Sequence, residues 1–286
     1  MPQTIPSPRS ACATQGELPR SLSALEANGP VTFVEGDLET VALLGTNLDN
    51  AIITTKNDAA LLSGMGGLAS YQDCTKPFRI SQRRITLRFD ASARVNLALT
   101  EGHAGANTVL NTLDPDGHVS LRIEVNEEPD KDMLRSLQRC SKEPALPQPE
   151  RPTEDVISLS AVRSARDRWA NSDSGLHLND FCIDQGRSRR RTLRHVGRNR
   201  AWPINPNVIA SFIEFLFDRN LPHVRLVPGN GFVQGDLCRG GTLQKLDSIL
   251  LATSPSCQFA LDMGDVRDCW VSKFGKASYL ELYSAD

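Results

Sequence analysis

Three blocks of this chain recur in the same order at an offset of about 170 residues, and that recurrence limits its possible folds more than any single motif does. AIITTKN (51–57) and HVRLVPGN (223–230) each read as a strand ending in Asn ahead of a Gly-containing stretch. About 32 residues beyond each Asn a second strand closes on Asp, ITLRFD (85–90) and QFALD (258–262). Some 24–26 residues further on, LNTLDPD (110–116) and LELYSAD (280–286) come to their ends. Matched blocks at matched spacing point to two copies of one supersecondary unit. The expected fold class is α+β, an internal duplication of two units that each combine an antiparallel sheet with helices.

The rest of the chain divides around these copies. Residues 1–18, rich in Pro, Ser and Thr, are expected to be disordered. Residues 19–141 make the first repeat, 142–156 a linker with four prolines, and 157–286 the second repeat. In the first copy LNTLDPD turns at Gly117 into another strand, HVSLRIEV (118–125), whereas the second copy stops at Asp286 where that turn would come. The second sheet is therefore expected to lack one strand and to present an unpaired edge.

Between these blocks VTFVEG (31–36), VNLALTEG (95–102), FVQGDL (232–237) and DCWVSKF (268–274) read as further strands. ITLRFD, VNLALTEG, NTVLNTLD and HVSLRIEV are expected to form one antiparallel meander. Helical spacing appears in ETVALLG, KDMLRSLQRC (131–140) and ISLSAVRSARDRWA (157–170), and HLNDFCI (177–183) is read as opening another helix. The clearest helix is NPNVIASFIEFLFDRN (205–220), with Asn205 as N-cap, Pro206 in the first turn, and Val208, Ile209, Phe212, Ile213, Leu216 and Phe217 as an apolar stripe.

Composition removes several classes. A formal net charge of −2 over 286 residues gives no global attraction to nucleic acid or to an anionic membrane. Seven scattered cysteines form no CxxC and no CxxCH, which leaves out a structural zinc site, a redox pair and covalent haem attachment. The N-terminus carries no apolar stretch of the secretory type, and nothing approaches the roughly 18 apolar residues of a membrane span. The expectation is a soluble, cytoplasmic protein.

The order and spacing of AIITTKN, ITLRFD with LNTLDPDGHVSLRI, LPHVRLVPGNGFVQGDL and CQFALDMGDVRDCWVSKFGKASYLELYSAD resemble the cytoplasmic haem-utilisation family, the HemS/HmuS/ShuS/PhuS group. The resemblance covers nearly everything from residue 30 onward. It implies haem b held in the cleft between the two halves. It also implies delivery of haem within the cell, with oxidative haem degradation as an additional or main role. The partners implied are haem itself and a membrane haem importer or a haem oxygenase. The family's axial iron ligand is a histidine that follows a Trp and precedes an S-R-x-x-x-L-R segment; here Trp169, His177 and Ser188–Arg194 fit, so His177 is the candidate metal ligand. A rival alignment puts Asn179 at that place. The family's L-R-x-F arginine falls on Arg88, with Asp90 where an aromatic is usual. A usual basic residue falls on Asp262, and the aromatic of LELY is kept as Tyr283. Arg88, Arg189 and Tyr283 join His177 as candidate haem-binding residues.

The chemistry agrees with that list. Imidazole suits haem iron, and a guanidinium fork matches a propionate and stays charged when buried. The plain alternatives are an Arg88 whose stem covers a sheet and a solvated basic helix for GRSRRRTLRHVGRNR (186–200). A third reading makes the Arg-rich segment 187–200 a site for nucleic acid or another polyanion. His103 and His118 sit beside turns, and His223 opens a strand after Leu-Pro. GNGFVQG (229–235) is followed by more extended sequence instead of a helix, so it reads as a hairpin turn and not a dinucleotide loop. No nucleophile elbow, general-base pair or metal-ligand cluster is written in the chain.

Overall fold

The computed structural model describes residues 19–66, 68–73, 85–102, 105–140, 159–171, 187–255 and 257–285. The first half runs α1 (Leu22–Asn28), β1 (Val31–Val34), α2 (Leu38–Asn47), β2 (Ala51–Lys56), β3 (Ala60–Met65) and β4 (Leu68–Asp73). It continues with β5 (Ile85–Phe89), β6 (Asn96–Glu101), β7 (Thr108–Leu113), β8 (Val119–Val125) and α3 (Glu128–Arg135). The second half opens with α4 (Leu159–Asn171), α5 (Arg187–Leu193), β9 (Ala201–Ile204) and α6 (Ile209–Asp218). It closes with β10 (His223–Gly229), β11 (Phe232–Cys238), β12 (Thr242–Leu246), β13 (Ile249–Thr253), β14 (Cys257–Asp262), β15 (Val266–Phe274) and β16 (Ala277–Ser284). The class is α+β. The segments 1–18, 142–156 and HLNDFCI lie outside the described residues.

Sequence dictates these elements locally. Asp37 caps α2 by accepting from the Thr40 N–H (2.8 Å), and Thr40 returns the bond to the Asp37 N–H, which completes a capping box. Asn205 accepts from the Asn207 N–H (3.0 Å) as the expected cap, with a short 3₁₀ turn over 206–208 leading into α6. Strand alternation fails to reveal β3, β4, β9 and the β12–β13 hairpin, whose turn places Asp247 at φ +53°.

The strands form a nine-stranded sheet, β1-β6-β7-β8-β2-β3-β14-β13-β12, a four-stranded sheet, β10-β11-β5-β4, and a three-stranded sheet, β16-β15-β9. Only β4–β5 is parallel among the described pairs. Pairings recur between the halves: β1–β6, β6–β7 and β2–β3 in the first, β9–β15, β15–β16 and β10–β11 in the second. The halves also exchange strands. β3 pairs with β14, with Leu62 opposite Phe259, and β11 pairs with β5, with Val233 opposite Arg88. The largest core follows the exchange, setting Phe232 of the second half among Leu38, Val41, Leu87 and Leu97 of the first.

Two expectations change. The meander is β6-β7-β8 alone, because every residue of β5 is buried and such a strand needs cover on both faces. The apolar stripe of α6 is only partly buried: Ile209 and Phe217 face the interior, while Val208 and Phe212 are 51% and 45% exposed. In the first half, β8 pairs with both β7 and β2 and so welds them into one sheet, and Leu134, Met133 and Leu137 beyond it join the core that holds α2. In the second half β16 and β10 occupy the matching places, and each is a sheet edge among the described residues.

The β10–β11 turn shows how tightly the halves close. Gly231 sits at φ +75°, and a Cβ there would meet the Ala93 Cβ at 2.3 Å. Gly231→Ala is expected to lower the unfolding free energy by at least about 1 kcal/mol. Urea denaturation checks this, with Gly275→Ala, a site with open space at φ +54°, as the milder comparison.

Candidate functional site

Arg88 lies on β5 and is 0% exposed, on the strand that meets the second half through β11. Polar groups line the same junction. Gln234, next to Val233 on β11, accepts from the Thr55 hydroxyl and donates to the carbonyls of Ile53 (3.4 Å) and Leu62 (3.3 Å). Thr54 and Ser63 share a hydroxyl bond of 2.8 Å. Further along the β10–β11 hairpin, Arg225 donates through Nη2 to Asp236, both buried. Gln234 thus bonds across the junction between the halves, within an apolar frame.

Arg189 occupies a second centre. It is 1% exposed, and its fork closes on Glu281 of β16, with Nε donating to Oε2 (2.9 Å) and Nη2 to Oε1 (2.6 Å). Ser272 donates to the same Oε1, and the Tyr283 hydroxyl donates to Oε2 at 2.7 Å. Trp169 lies against the Arg189 guanidinium at 4.5 Å from its ring centroid, packs on Phe274 at 4.0 Å, and donates from Nε1 to the Lys273 carbonyl (3.1 Å). Two candidates from the sequence, Arg189 and Tyr283, thus converge on a carboxylate that the sequence reading did not single out. The signal was the acid at the inward-facing position of LELY.

His177 lies outside the described residues. The chain before it is fixed at Trp169 and the chain after it at Arg189, and these two side chains touch. Among the other histidines, His118 sits on the β7–β8 turn, bonded through Nδ1 to Asp114 (3.3 Å), and His223 pairs across the hairpin with Cys238. Asp114, Asp116 and His118 bring ligand atoms within 4.8 Å of one another, but Asp114 Oδ1 already accepts from the Asp116 and His118 N–H groups and shapes the turn.

The arginine run is less solvated than its composition suggests. Arg189 holds Glu281, Arg190 donates to Asp268 through Nε (3.0 Å) and Nη2 (2.7 Å), and Arg194 reaches the same carboxylate at 3.6 Å. Charges neutralised by protein acids contribute little to a phosphate-binding surface. No helix among the described residues is long and apolar enough to cross a membrane.

No protein-family model and no curated protein sequence matches this chain. Solved structures do. The chain is similar to apo-PhuS, a haem-binding protein from Pseudomonas aeruginosa, with TM-score 0.68 and 16% identity over 89% of this chain and 78% of that one. Holo-PhuS matches at TM-score 0.67 over the same shares. ChuS, an E. coli haem oxygenase, matches at TM-score 0.71 and 13% identity over 93% of this chain and 83% of that one. The architecture is therefore the HemS-like fold, as the sequence resemblance implied. PhuS and ChuS are two proteins whose fold this chain shares.

The Arg189–Glu281 pair, with side chains 2% and 5% exposed, makes a stability prediction. Removing either partner leaves a buried charge unpaired, so Arg189→Ala or Glu281→Ala is expected to cost about 3–5 kcal/mol in urea unfolding, and Arg189→Met with Glu281→Leu to recover most of that. A double variant as unstable as the singles would show that the pair is not the source of the loss.

Proposed function

We propose that this protein binds haem b between its two halves and carries it within the cytoplasm, in a chain built by internal duplication. The observation that carries this reading is the fold shared over about nine-tenths of the chain with a haem-binding protein and a haem oxygenase. The recurrent pairings and the reciprocal β3–β14 and β5–β11 exchange support the duplication and the two-repeat division at 142–156. Buried cation chemistry at the junction supports an anionic ligand there. Arg88 puts a buried guanidinium on the strand that joins the halves.

In this reading His177 supplies the imidazole for iron, Arg88 faces a propionate, and Arg189 and Tyr283, locked together through Glu281, fix the α4–α5 region that carries His177. The donor set suits haem: one nitrogen ligand, the Arg88 guanidinium for a carboxylate and aromatic rings for the macrocycle. Bound haem would supply the redox chemistry, and the chain's residues would orient it and limit water. Oxidative degradation is the second reading, favoured by the likeness to ChuS. A membrane haem importer upstream and a haem oxygenase downstream are the partners this role calls for.

Titration of the purified protein with haem, followed at the Soret band, tests the proposal. Stoichiometric uptake is expected. Arg88→Met should weaken binding about 10–100-fold, the worth of one charge-assisted bond of roughly 1.5–3 kcal/mol. His177→Ala should abolish the Soret shift while circular dichroism stays unchanged. No shift in the intact protein would overturn the reading, and loss of bound haem absorbance with ascorbate and O₂ would select the degrading role.

A further inference from the structure

Away from the candidate haem residues, the inner face of the β10–β11 hairpin gathers a thiol, an imidazole and a guanidinium. The register sets His223 opposite Cys238 and Arg225 opposite Asp236, adjacent inward pairs on one ladder. Cys238 is 1% exposed and packs with Phe217 and Ala252, and its thiol donates to the Gly240 carbonyl at 3.6 Å. The His223 Nδ1 lies 2.9 Å from the Leu221 carbonyl, a contact that makes Nδ1 the donor and leaves Nε2 for the thiol. The edge of Phe217 steadies the ring at 5.4 Å.

Arg225 supplies an independent observation. Its side chain is 5% exposed, only Nη2 reaches Asp236, and Nε and Nη1 are buried without a hydrogen-bond acceptor among the described residues. Native structures seldom leave two buried donors of one guanidinium unused. Such a group beside a thiol suits an anionic oxygen formed on sulfur.

We propose that Cys238 is a peroxide-reactive thiol, with His223 and Arg225 as its positioning residues. The thiolate sulfur attacks one oxygen of a hydroperoxide, the S–O bond forms as O–O breaks, and Cys238 leaves as sulfenic acid. The sulfur is oxidised and the peroxide reduced. With hydrogen peroxide the departing hydroxide takes the proton from the His223 imidazolium and becomes water. The oxygen of the sulfenic acid then accepts from the unused donors of Arg225.

The electrostatics follow the geometry. Burial opposes the Cys238 thiolate, but the His223 bond, the Arg225 charge and Gly240 outweigh it and bring the thiol below its ordinary range. Burial likewise opposes the His223 cation, and the bonds to Cys238 and Leu221 outweigh it and raise the imidazole. Cys257 on β14 and Cys269 on β15 lack such a base: burial pushes the first up strongly and, with Asp268, the second to about 11. The titratable and charged groups around the thiol are His223 and Arg225 on β10, with Asp236 on β11 and Cys257 on β14 acting beside Arg225.

The test exposes haem-free protein to hydrogen peroxide, removes the excess with catalase, and unfolds the protein in a 1,3-dione that traps sulfenic acid for peptide mass spectrometry. Cys238 is expected to be labelled at least about tenfold faster than Cys257 and Cys269, with a rate that persists below the pH where ordinary thiols protonate. His223→Gln should move that pH profile upward, and Arg225→Lys should slow sulfenate formation, in each case with melting temperature monitored. Cys238→Ser should retain the fold and lose the label. Equal labelling of the three buried cysteines, or a profile unmoved in a folded His223→Gln protein, would overturn the assignment. Neither outcome depends on haem, so failure here leaves the haem reading standing.

Discussion

The reciprocal exchange of strands is the constraint on which the molecule rests. Two halves of one chain could have formed two independent sheets; instead β14 completes the ladder begun by β3, and β11 lies against β5. Each half thus closes its hydrogen bonds on the other. The strand that carries Arg88 is internal only because the second half supplies its neighbour. A cation buried on a strand between two others is costly unless a polar or charged group meets it.

The same logic governs the second centre. Burying Arg189 is tolerable because Glu281, Ser272, Tyr283 and Trp169 surround it with matched donors, acceptors and a ring face. Such pairs are weak contributors to net stability but strong determinants of geometry, since removing one partner is costly. Here the geometry fixed is the seating of α5 on β15 and β16 and of Trp169 beside them. That ties together the two chain segments bracketing His177.

Much of this architecture was legible in the sequence. HVRLVPGN and QFALD match β10 and β14 to within one residue because strong alternation meets turn residues there. The Asn205–Pro206 start was readable because capping is local. Partnership was not: ITLRFD reads as part of a meander, and only tertiary packing reveals that β5 belongs with β11. AWPI was missed because its proline is an unusual strand residue, tolerated where β9 forms a sheet edge. Pattern singled out Arg189 and Tyr283 as candidates, whereas Glu281 and Asp268, which neutralise the arginine run, show as partners only once β15 and β16 are folded.

The single-ladder flank at β10, a sheet edge among the described residues, also bears on motion. Opening a strand with one neighbour breaks one ladder, whereas opening β8 breaks two, so fluctuations concentrate where the ladder is single. Cys238 and Arg225 sit on the hairpin that includes that flank. A sulfur sealed in the average structure can thus be reached by a small solute during brief fraying of β10, with access set by the rate of opening instead of by a permanent channel.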